Sequence, residues 1–174
     1  MSAPVEAFST LTAEEVDLLT QVPVWITALV GGADGNLDRT EREWSEHIVR
    51  IRTYAKEGSF DDYYRLVAQG FAAHLEQEWQ NLPADVTSRS RLLADKIAAA
   101  NPILSKLDPP FAATLYKSYL RLAEEVAKAS GGFLRMGAIS PEENTWIKLP
   151  MLTPIYSDET DLFAHWEEEE EKDK

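Results

Sequence analysis

Cysteine is absent from the 174 residues, which excludes disulfides, thiolate metal sites and thiol nucleophiles and fits a reducing compartment. No run approaches the 18 or so apolar residues that a membrane span needs. Met1 is followed by Ser-Ala-Pro-Val-Glu-Ala, without the basic start and apolar stretch of an export signal. A cytoplasmic protein with no transmembrane segment is expected. Basic clusters are missing too: 17 Lys and Arg stand against 30 Asp and Glu, for a formal charge of −13. Phosphate backbones demand a stripe of Lys or Arg, so no direct nucleic-acid binding is expected. The acid is unevenly spread, because nine carboxylates and two lysines between Asp158 and Lys174 give −7 and leave −6 for everything before them.

Period-two alternation of any useful length is also lacking, which leaves strands without support. Apolar residues make up 44% of the chain, enough for one domain with a real core. The expected fold class is all-α: a compact bundle of about six or more helices. Thr12 with Glu15 forms a capping-box pattern, and Val16, Leu19, Trp25, Ile26 and Leu29 carry helical spacing to Gly31-Gly32. Pro23 inside that helix removes a backbone donor, so a kink or a break is expected. Asp38 with Glu41 opens a second helix in which Trp44, Ile48, Ile51 and Tyr54 or Ala55 form an apolar stripe facing a core. Tyr63, Val67, Phe71, Leu75 and Trp79 repeat every fourth residue in a third helix from Ser59 to Asn81. A fourth runs over roughly 85–100, and a fifth opens at Asp108-Pro109-Pro110 with Leu115, Tyr119, Leu122 and Val126 inward. A short sixth begins at Ser140-Pro141.

The two ends of this series share a pattern. Gly35-Asn36-Leu37-Asp38-Arg39-Thr40-Glu41-Arg42-Glu43-Trp44 and Gly137-Ala138-Ile139-Ser140-Pro141-Glu142-Glu143-Asn144-Thr145-Trp146 both read G-x-[LI]-[DS]-x-x-E-x-x-W. Each follows a long amphipathic helix that ends in Gly-Gly, so two helix-loop-helix units related by a pseudo-twofold are expected. Capping explains Asp or Ser and Glu without any ligand. Chemistry enters with the first copy, where Asp34, Asp38 and Glu41, and more weakly Asn36, supply hard oxygen donors suited to Ca2+, Mg2+ or Mn2+. An EF-hand register places Asp34, Gly35, Leu37 and Glu41 correctly but puts Val30 and Gly32 where ligands belong, which argues against an EF-hand.

Ala33-Asp34-Gly35-Asn36-Leu37-Asp38-x-x-Glu41 after an amphipathic helix resembles the A-D-G-x-[IL]-x-x-x-E pattern of TerB-like domains, the tellurite-resistance helical proteins. The resemblance covers about residues 12 to 149 and extends to the repeated hairpin. It implies a bacterial protein of chemical or metal stress response, binding a divalent cation through loop acids and docking on protein partners or membrane-associated complexes, with no known reaction. Carried over by position, it points to Asp34, Asp38 and Glu41, and more weakly to Glu142 and Glu143 in the second loop. There the pattern departs, since Met136 stands where Asp34 stands in the first copy.

His47, His74 and His165 have no spacing that builds a metal site on helices, and Ser88, Ser90 and Ser105 have no neighbouring base. The expected function is therefore non-catalytic: a stress-response or protein-interaction module with weak cation binding. A dedicated divalent-cation sensor or buffer, or an enzyme whose carboxylates converge only in three dimensions, are the alternatives. The expected organisation is an extension over 1–11, the helical domain over 12–157 and an acidic tail over 158–174. Between them, Leu149 to Tyr156 and Leu162, Phe163 and Trp166 are too apolar for a mere linker; they either wrap the body or dock on a partner.

Overall fold

The structure is a computed structural model that describes residues 5–54, 58–130 and 141–156. Its helices are α1 (Ala13–Gly31), α2 (Arg39–Ile51), α3 (Ser59–Ala68), α4 (Phe71–Asn81), α5 (Val86–Ala98), α6 (Asn101–Leu104), α7 (Pro109–Ser130) and α8 (Pro141–Trp146), and no strand occurs among the described residues. Short 3-10 turns cover Glu6–Phe8 and Arg52–Tyr54.

α1 is the central element. Every residue from Val22 to Gly31 is buried, the condition of a helix surrounded on all sides, and α3, α4, α5, α7 and α8 all pack on it. α2 packs chiefly on α7 and α3, and α8 packs on α1 and α7. The inward residues expected on α7, Leu115, Tyr119, Leu122 and Val126, are all fully buried.

α1 is not broken at Pro23 but runs through it as one helix. Proline deprives the carbonyl four residues earlier of its partner, here Leu19. The Tyr63 hydroxyl of α3 donates to that carbonyl at 2.8 Å, and because its single proton is committed there, the Tyr119 hydroxyl of α7 donates to Tyr63 at 2.9 Å. Burial pushes both phenols well above their ordinary range, so each stays protonated and able to donate. Thr27 Oγ1 in turn donates to the Pro23 carbonyl at 2.9 Å.

Of the stripe expected on α2, only Ile48 faces the core among the described residues. Trp44 is 47% exposed, Ile51 56% and Tyr54 77%, whereas Glu41, Ser45, Ile48, Val49 and Arg52 are buried. The face has turned by roughly one residue step, 100°, because polar side chains with partners take the inward positions. Ser45 Oγ donates to the Glu41 carbonyl at 2.7 Å. Arg52 reaches Glu125 of α7 at 3.0 Å and the Tyr64 hydroxyl at 3.3 Å; Tyr64 then donates to Ser118 and Ser118 to the Leu115 carbonyl, both at 2.8 Å. Each member of that relay is satisfied, which is what makes burying it tolerable.

The single helix expected from Ser59 to Asn81 is two. Gly70 adopts φ +97°, a left-handed conformation that interrupts the run and starts α4 at a new angle. Tyr63, Val67, Phe71 and Leu75 are nonetheless all buried, with Trp79 partly so. At the start of the chain, Val5 and Phe8 belong to the core, Phe8 lying edge-on to Tyr63 and Phe111. The body thus includes residues assigned above to an extension. At the far end Leu149 and Leu152 are buried, and the Asn101 amide clamps the segment, donating to the Met151 carbonyl at 2.9 Å and accepting from the Thr153 N–H at 2.8 Å. Of the segment Leu149 to Tyr156, Leu149 and Leu152 therefore wrap the body while Tyr156 is exposed; Leu162, Phe163 and Trp166 lie outside the described residues.

Candidate functional site

The acidic loop between α1 and α2 is fixed from several sides. A Cβ on Gly31 would lie 2.7 Å from Leu37 and 3.4 Å from Val126, and one on Gly32 would fall 2.4 Å from the Trp79 ring. The Gly-Gly pair therefore permits close packing; neither residue is the left-handed one, which is Gly35 at φ +102°. Arg89 of α5 closes the loop from outside. Its guanidinium donates to the Gly32 carbonyl at 3.1 Å and to the Ala84 carbonyl at 3.3 Å, and lies 4.6 Å from the Trp79 ring centroid. The Gly32 carbonyl, at the end of α1, thus has two donors, since it also accepts from the Gly35 N–H at 3.0 Å.

Within the loop, Asp34 accepts from the Asn36 N–H at 3.0 Å, an Asx turn. Asp38 accepts from the Glu41 N–H at 2.9 Å while Glu41 accepts from the Asp38 N–H at 2.8 Å, the reciprocal box expected from sequence. Asp34, Asn36 and Asp38 are exposed, and Glu41 is buried beneath them. Arg42 pairs with Glu76 of α4 and donates to the Leu37 carbonyl at 3.1 Å. Among the described residues no three His, Asp or Glu side chains gather into a group that could hold a metal ion. The loop acids are spent mainly on holding the turn and starting α2.

Of the other candidates, Glu142 and Glu143 lie in α8, but their side chains are outside the described set, as are Gly137–Ser140 of the second loop. Leu162, Phe163 and Trp166 also lie outside the described residues. His74 joins Asp17, Leu18, Thr20, Gln21 and Trp25 around an open groove of about 500 Å³ between α1 and α4. Trp25 Nε1 is the one buried side-chain polar atom without a hydrogen-bond partner among the described residues. It is sealed from solvent, so a molecule resting in the groove does not reach it.

The feature that sequence reading assigned to the core is the outer face of α2. Trp44 and His47 sit with ring centroids 5.5 Å apart, and Ile51 and Tyr54 continue their row. Three of the six large hydrophobic side chains exposed among the described residues lie in this row. The paired salt bridges Arg39–Glu43 and Glu46–Arg50 flank it.

No family model, curated protein or solved structure matches the chain.

Replacing Gly32 with Ala is expected to cost about 1–3 kcal/mol, because the Trp79 ring has Arg89 against it and little room to move. Urea denaturation measures this; a loss below about 0.5 kcal/mol would contradict the close packing.

Proposed function

We propose that the chain is a non-catalytic, TerB-like helical module that acts by binding protein through the outer face of α2. The observation that carries this reading is the row Trp44, His47 and Ile51, apolar or aromatic and open to solvent on a helix otherwise rich in charge, continued by Tyr54 in the turn after it. A row of large apolar side chains held in water is uncommon on a surface with no partner. The TerB-like part is supported by the first loop and by reciprocal packing: α1 lies on α7, α2 packs on α7, and α8 packs on α1, as two hairpins related by a pseudo-twofold would. A stress-response role and a place among membrane-associated complexes rest on that resemblance alone.

Affinity capture from the native host, comparing the full chain with Trp44→Asp/Ile51→Asp, tests the binding face. Proteins, including the chain itself, that the parent retains at least ten-fold better support it. Identical retained sets contradict it.

A second reading, weak divalent-cation binding at the first loop, is favoured by the exposure of Asp34 and Asp38 on either side of Asn36. Each uses one carboxylate oxygen within the loop. With a dissociation constant of about 1 mM, roughly 10 mM Ca2+, Mg2+ or Mn2+ stabilises by about 1.4 kcal/mol, a shift of about 3 °C in melting temperature for a domain of this size. The expected result is such a rise in the parent that Asp34→Asn abolishes. No rise with any of the three ions rules the site out.

A further inference from the structure

The exposed row on α2 has the spacing of a coiled-coil seam. Thr40, Trp44, His47 and Ile51 follow one another at intervals of 4, 3 and 4 residues within α2, the alternation that keeps one stripe facing a second helix; Tyr54 follows in the 3-10 turn beyond it. Thr40, Trp44, His47, Ile51 and Tyr54 are all exposed. Beside the seam, seven residues apart and on the same flank, stand Glu43 and Arg50, with side chains 61% and 64% exposed; each also pairs within α2, Glu43 with Arg39 and Arg50 with Glu46, in solvent-exposed bridges that hold it only weakly. The opposite flank, with Glu41 and Ile48, is turned into the protein's own core.

This charge order selects a partner. In an antiparallel pair of identical helices the same flank of each helix meets, in reverse order, so Glu43 comes opposite Arg50 of the second copy and Arg50 opposite Glu43 of the second copy. The same register sets Trp44 against His47 of the second copy and Thr40 against Ile51 of the second copy. A parallel pair would instead align Glu43 with a flank that is buried in the other body. We infer that the outer face of α2 is a self-association surface, on which two copies of this chain pair antiparallel about a dyad between residues 45 and 46. The inference rests on the proposed binding role of α2 and names its partner. The helical seam, Thr40 to Ile51, is shorter than two heptads and far short of the area of a stable obligate dimer, so the association is a weak one that responds to concentration.

Sedimentation of the full chain across about 5 to 500 μM tests it. The expected result is a mass rising with concentration from 19.6 kDa toward twice that value, with Glu43→Arg and Arg50→Glu each weakening association at least ten-fold. In each single variant the flanks carry like charges against themselves. Mixed in equal amounts, the two variants present opposite charges to each other, and their association is expected to recover to within about three-fold of the parent. Because Glu43 and Arg50 are exposed, far-ultraviolet circular dichroism and melting are expected to show both variants folded. A monomer at every concentration overturns the inference. So does association that survives both single variants, or single-variant losses that mixing does not restore. A monomeric chain that still captures a host protein through Trp44 and Ile51 defeats self-association while leaving the binding role standing. A monomeric chain with no partner dependent on those residues defeats both.

Discussion

Pro23 has no N–H to offer the Leu19 carbonyl, and the Tyr63 hydroxyl takes that place at 2.8 Å. Had no donor arrived, a buried carbonyl would have gone unpaired at a cost of about 1–3 kcal/mol, or α1 would have bent to reach water. Tyr63 comes from α3 and is itself held by Tyr119 of α7, so one hydroxyl joins three helices at the point where the central helix is weakest. The eight buried residues that follow Pro23 in α1 can then serve as the wall on which α4, α5 and α7 pack.

The orientation of α2 follows from the same principle, that buried polar groups must find partners. Arg52 is bound to Glu125 and, through Tyr64 and Ser118, to the backbone of α7. Ser45 returns its proton to its own helix. These side chains anchor the inward face, and once they do, Trp44 and Ile51 have nowhere to go but outward. Arg42–Glu76 and the Arg89 clamp on Gly32 set the start of α2 and the acidic loop before it. The shape of the loop and the exposure of the α2 row thus follow from one rule acting at two separate sets of contacts.

Much of this was legible in the residues. The capping boxes at Thr12 and Asp38, the inward face of α7 and its start at Pro109 rest on local rules, and local rules operate within a turn or two of helix. What escaped was long-range. Nothing near Pro23 announces that a tyrosine 40 residues later replaces its missing donor. Nothing near Arg52 or Arg89 shows a carboxylate or a row of carbonyls waiting for it, so a hydrophobicity count put Trp44 inside. Gly70 was hidden by a repeat of apolar residues that keeps its period through the break. The acids of the first loop were found, but spacing alone cannot tell a cap from a ligand, because both demand an oxygen near an exposed helix end.

The central claim is that Tyr63 stands in for the N–H that Pro23 lacks, and a double-mutant cycle on Tyr63→Phe and Pro23→Ala tests it most directly. Alanine restores the N–H to the Leu19 carbonyl. Tyr63→Phe is expected to cost about 2–3 kcal/mol in the parent and about 1 kcal/mol less once Pro23 is replaced, since only the Tyr119 contact then remains to be lost. Equal costs in the two backgrounds, measured by urea denaturation, would contradict the account.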